Sequence, residues 1–122
     1  MGEGKEYVSR SDEMGNIHIS EEVLAVIAAA AAKEVDGVGG LSGGLGVELA
    51  ELVAGKKLNR GIDIRVADES ISIRVSILVK HGHIITDVAR AVQDAVWSAI
   101  ENTTGLQVES VNVHVSGVAF SK

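Results

Sequence analysis

Between residues 62 and 79 the chain reads "IDIRV", then "ADES", then "ISIRVSILV". Strict alternation of apolar and polar side chains on both sides of a short turn predicts two half-buried strands joined as a hairpin. If Val66 pairs with Ile71, Asp63 falls opposite Arg74 and Arg65 opposite Ser72, which puts an opposite-charge pair on the polar face. The echo of IDIRV in ISIRV is too short to be a repeat. Such a sheet has one apolar face, and the rest of the chain must cover it.

Two helices are expected to do so. From about Ile84 to Thr104, Ile84, Val88, Val92, Val96 and Ile100 recur every four residues, joined by Ile85, Ala95 and Ala99, and Gly105 stops the helix. The other helix runs through "EEVLAVIAAAAAKEV" and ends near Asp36-Gly37, with Ser20 as N-cap and Glu21 and Glu22 favourable at the positive end of the dipole. It is apolar all round. The expectation is that Val23, Leu24, Val26 and Ile27 carry the burial, leaving an alanine-rich outer face. There Ala25 and Ala28 to Ala32 would let another helix approach closely.

Around these, "NIHI" (16–19) reads as a short strand and "VNVHVSGV" (111–118) as the last one, with Val111, Val113 and Val115 on one face. Gly117 breaks its alternation in the manner of a bulge. "VELAELVAG" (47–55) reads as a short helix with Val47, Leu49, Leu52 and Val53 inward. Residues 1–16 are polar and aperiodic, which predicts a disordered tail before one domain at 17–120. The order of elements predicts an α+β two-layer sandwich. Both main helices would lie on one face of a mostly antiparallel sheet of three to four strands. The other face would be polar, carrying Asp63, Arg65, Ser72, Arg74, Ser76, Asn112, His114 and Ser116.

The glycine run "GVGGLSGGLG" (37–46) raises the question of a phosphate cradle. A P-loop needs Gly-Lys-Ser/Thr, yet the next lysine is Lys56, with Lys57 where the hydroxyl should be and Ala50 where the first glycine should be. A dinucleotide fingerprint starting at Gly37 and Gly39 meets Ser42 at its last glycine, and it follows a helix rather than a strand. The run therefore reads as a mobile join. His81 and His83 with Asp87 are too few for a confident metal set. Asp63, Asp68, Glu69 and Asp94 sit on wet faces with no catalytic partner. No catalytic residue, cofactor or metal is expected.

One loop, "GKKLNRG" (55–61), concentrates positive charge at Lys56, Lys57 and Arg60. It is the candidate interaction loop, and it supports the alternative reading of a nucleic-acid or nucleotide-binding domain. A net charge of −6 and only Tyr7, Trp97 and Phe120 as aromatics argue against that alternative. Without cysteine there is no disulfide or thiolate site. The apolar run Val23 to Ala32 is too short for a membrane span of roughly 20 residues. The start "MGEGKEYVSR" has neither a signal peptide's apolar core nor, with Glu6, a myristoylation signal. A soluble cytoplasmic protein is expected.

Residues 17 to 120 resemble the alkaline shock protein family, the Gls-type envelope stress response proteins of Gram-positive bacteria. The resemblance rests on "NIHISEEVLAVIAAAAAKEVDGV", "RGIDIRV", "SIRVSILVKHG" and "DVARAVQDAVWSAIENTTGLQVESVNVHVSGV". Its most specific parts are Val92-Gln93, Thr104-Gly105 and the final strand. His81 departs from it, standing where the family commonly has tyrosine. The resemblance implies a non-enzymatic cytosolic protein of cell-envelope homeostasis and stress tolerance. It also implies that some members self-associate and are held at the membrane by a separate integral membrane protein. From the residues themselves, weak self-association is expected, through a sheet edge that recruits a strand from a second copy or through the Ala-rich helix, with no nucleic-acid partner and no direct membrane insertion.

Overall fold

The computed structural model describes residues 7–12 (main chain only), 14–41, 61–67 and 70–120. The expected helix at 47–55 and the basic residues Lys56, Lys57 and Arg60 lie outside them.

Strands β1 (Tyr7–Asp12) and β2 (Gly15–Ser20) lead into helix α1 (Glu21–Lys33), followed by β3 (Val38–Leu41), β4 (Ile62–Ala67), β5 (Ser70–Lys80), helix α2 (Ile85–Thr104) and β6 (Gln107–Ala119). This is the expected α+β sandwich. Val66 pairs with Ile71, Asp63 with Arg74 and Arg65 with Ser72, in the register that the alternation dictates. The ion pair that forms on this face is within β4, Arg65 Nε to Asp63 Oδ2 at 3.5 Å. With both side chains mostly in water, such a pair contributes little.

β5 is the axis of the sheet. Along one edge it pairs antiparallel with β4 over Ser70–Val75 and with β3 over Ile77–Val79, so those two strands lie end to end. Along the other edge β6 runs parallel to it for the whole length. The last strand is parallel because a helix separates it from β5, and a helical crossover returns the chain in the same direction. The ladder shifts register between Ile77 and Leu78, Ile77 matching Val115 and Leu78 matching Gly117, where the broken alternation indicates a bulge.

Ile71, Ile73, Val75, Ile77 and Val79 form an unbroken buried row on β5, met by Ile64, Val108 and Val111 from its neighbours and by Leu24, Val88, Val92, Val96 and Ile100 from the helices. No polar side chain is buried among the described residues. Burying a Val or Ile side chain is worth about 1.5–3 kcal/mol, so this row and the α2 stripe dominate the stability.

Three expectations need correction. First, the α1 face is rotated from the expected one: Leu24 is buried and Ile27 packs against the core as expected, but alanines take the places expected of Val23 and Val26. Leu24, Ala25, Ala28, Ala29 and Ala32 are buried, while Val23 and Val26 are 47% and 46% exposed. The wide row on β5 already fills the layer with large side chains, so small ones opposite let α1 settle close to α2, β3 and β4. Ala25, Ala28, Ala29 and Ala32 face the protein's own core and are not a surface for another helix, while Ala30 is exposed. Second, residues 7–12 are not an irregular tail. They pair with β2, from Tyr7 opposite Ser20 to Asp12 opposite Gly15. A lone two-stranded hairpin is marginal in water, but Ile19 packs against the core and anchors this one.

Third, the glycine run begins as structure. Gly39 and Gly40 lie in β3. A Cβ on Gly37 would come within 2.7 Å of Val88 Cγ2, and one on Gly39 within 2.7 Å of the Ala119 Cβ. Real Cβ atoms do not approach so closely, so both glycines are required by close packing. Only residues 42–46 of the run retain the expectation of a mobile join, and these lie outside the described residues.

Candidate functional site

The chemistry-bearing residues are scattered. His81 stacks against Phe120, with ring centroids 4.7 Å apart. His83 instead lies against Gly37 and reaches Asp36 Oδ2 with Nε2 at 3.8 Å. Asp87 sits in the first turn of α2, where a negative charge complements the helix dipole. The two histidines and the aspartate are thus not brought together, and no group of three potential ligands forms among the described residues.

The open face of the sheet carries the expected polar set. Asp63, Arg65, Ser72, Arg74 and Asn112 line a shallow hollow open to water. The ladders align Asp63, Arg74 and Asn112 in one row across three strands. Arginines in so exposed a setting can meet a polar surface but do not enclose a small molecule.

Helix α2 makes more specific contacts. Gln93 Nε2 donates to the carbonyl of Val111 at 2.9 Å, and the amide of Val108 donates to Glu101 Oε2 at 3.2 Å. At the end of α2, Gly105 adopts φ 76° and its N–H bonds to the Glu101 carbonyl. Thr104 Oγ1 donates to the Ile100 carbonyl at 2.7 Å and accepts the Leu106 N–H at 3.1 Å. Gln93 and Thr104-Gly105, the most specific points of the resemblance, are therefore architectural. They fix the β6 edge to the helix.

What remains on the surface is apolar. Val23 and Val26 point outward from α1, and Ile17, Ile84, Ile85, Val118 and Phe120 are also exposed, Phe120 by 72%. The spacing Val23, Val26, Ala30 holds the signal for the α1 face, since i, i+3 and i+7 share one side of a helix. That signal is hidden because the opposite side is apolar too. No described helix is long and apolar enough to cross a membrane.

Comparison with known proteins places these features in context. The model of the ASP23 family, the alkaline shock protein family, described by a cell envelope-related function, matches residues 9–120. The uncharacterized protein YloU of Bacillus subtilis is 37% identical over 106 residues, covering 85% of this chain and 88% of that protein. YqhY of the same organism is 34% identical over 107 residues, covering 88% of this chain and 79% of that protein. Among solved structures, the MamM CTD in a copper form superposes with a TM-score of 0.51 at 18% identity, covering 80% of this chain and 96% of that one. At that identity the likeness concerns the fold alone.

Proposed function

This chain belongs to the alkaline shock protein family and shares its cell envelope-related function, and from that premise we propose that it acts as a non-enzymatic interaction module in envelope homeostasis and stress response. It works through protein–protein contacts, in the cytoplasm, and reaches the membrane through an integral membrane partner rather than by its own insertion.

The observation that carries this reading is the outer face of α1. A helix whose core side is satisfied by Leu24 and four alanines still presents Val23 and Val26 to solvent at nearly half exposure. Exposed apolar side chains at helical spacing beside charged Glu22 and Lys33 form a surface suited to a partner. Neither residue is needed for the core.

A strain lacking the protein tests this, complemented with the wild type or with Val23→Glu/Val26→Glu. The paired variant should fold normally, fail to restore survival under alkaline or detergent challenge, and lose the membrane-fraction proteins that crosslink to the wild type. Full complementation by the variant would remove α1 from the mechanism. The competing role in nucleic-acid binding would instead appear as salt-sensitive RNA or DNA binding lost in Lys56→Glu/Lys57→Glu.

A further inference from the structure

Among the described strands β6 lies at an edge of the sheet, and its outer side is divided in two. The amides of Ser76 and Lys80 donate to Gly61 and Gly37, toward the side of β5 held by β3 and β4. Main-chain groups alternate along a strand, so the odd-numbered residues of β5 point theirs at β6. In a parallel ladder these engage the residues of β6 on either side of each matched position, here Ser110, Asn112 and His114. Val111, Val113 and Val115 consequently turn their N–H and C=O groups outward. The first half of this edge is closed by α2, through Glu101 on the Val108 amide and Gln93 on the Val111 carbonyl. At Val113 and Val115 no described strand or capping side chain stands against it.

We propose that this open half of β6 is a strand-addition site and that its occupant is a second copy of the same chain, β6 pairing antiparallel with β6. The inference rests on the interaction-module reading above and names a surface for it. Self-pairing about a twofold axis sets one short segment against itself, so a net charge on that segment would meet the same charge. Residues 111–120, "VNVHVSGVAF", contain no Asp, Glu, Lys or Arg in a chain of net charge −6. The net negative charge of the chain opposes close approach of a second copy, and this uncharged segment adds nothing to that repulsion.

The free groups also fix the register. A twofold axis at His114 sets Val113 opposite Val115 of the second copy, and each such pair exchanges two main-chain hydrogen bonds. His114 then faces His114 of the second copy as a pair with no hydrogen bond between them, the closest approach of side chains in an antiparallel ladder. Any other centre either collides with the Gln93 cap at Val111 or runs into the bulge at Ser116. Beyond the seam lie the exposed apolar Val118, near the end of β6, and Phe120, just past it.

Sedimentation equilibrium tests the site on the full chain, using wild type, His114→Asp, His114→Lys and an equimolar mixture of the two variants. His114 is exposed, so neither change disturbs the core. Each variant alone should dimerise at least tenfold more weakly than wild type, and the mixture should regain wild-type affinity as a heterodimer. In wild type the Val113 and Val115 amides should gain exchange protection as concentration rises. Wild type that stays monomeric at millimolar protein overturns both the site and the self-association. Variants that associate as tightly as wild type overturn the site alone and leave the interaction reading standing, with the α1 complementation as its separate test.

Discussion

The two helices cover the same sheet face by opposite means. α2 is an ordinary amphipathic helix: Val88, Val92, Val96 and Ile100 are buried while Arg90, Gln93 and Asp94 face solvent. α1 buries Leu24 and a set of alanines and carries valines on its outside. On α2 large apolar side chains mark the core; on α1 small ones do. Hydrophobicity alone cannot orient a helix that is apolar all round, because the buried face is then chosen by the volume left to it.

The largest expected effect lies on α2. Val96 is fully buried, and Val96→Asp should abolish cooperative thermal unfolding followed by circular dichroism. An unpaired buried carboxylate costs several kcal/mol, comparable with a small domain's whole stability of about 5–15 kcal/mol. Retention of the wild-type transition would mean that the α2 stripe is misplaced.

On α1 the small residue is the one that cannot grow. Ala28 has no exposed surface, and Ala28→Leu should destabilise by about 1–3 kcal/mol through overpacking. Urea denaturation measures this directly. An unchanged or higher midpoint would show room beneath α1 and undo the contrast between the helices.

A smaller loss is expected at Gln93, whose side chain joins α2 to β6. Gln93→Ala should cost about 0.5–1.5 kcal/mol, the range for one hydrogen bond. Exchange of the neighbouring β6 amides should quicken with little change in the rest of the sheet. If the whole domain loosens equally, Gln93 does more than hold one edge.

The smallest effect should come from the outer face of α1. Val23→Glu/Val26→Glu should shift stability by no more than about 0.5 kcal/mol per site, as surface substitutions do. A loss of several kcal/mol would mean that these valines are packed and would remove the surface on which the proposed function rests.

The contrast between the helices also explains how much could be read in advance. The β4–β5 register was legible down to single pairs, because two alternating runs joined by a short turn leave one alignment that keeps every apolar residue on one side. The α2 stripe was legible from Val88 to Ile100 because its polar residues mark the opposite face, whereas Ile84 and Ile85, expected to extend it, lie exposed at the start of the helix. The outward turn of Val23 and Val26 on α1 was not, since nothing polar interrupts residues 23 to 32. Pairing over 7–12 was hidden for a related reason: the short stretch "SRSD" shows no apolar alternation, and its strand is defined by main-chain bonds to β2. The candidate site divided likewise. The polar set on the open face followed from alternation, whereas the exposed Val23 and Val26 and the Gln93 and Glu101 caps on β6 depend on how α2 and α1 settle on the sheet.

The sequence by itself determined what local pattern can encode: which residues alternate, where α2 turns its valines, and that Gly105 ends it. Only the tertiary structure decided which side of α1 is buried, that Gly39 meets Ala119 across the sheet, and that the α2 caps among the described residues fall on the first half of the β6 edge. These outcomes are set by shape and distance between segments far apart in the chain. Volume competition and main-chain pairing leave no periodic mark on the segments they act upon.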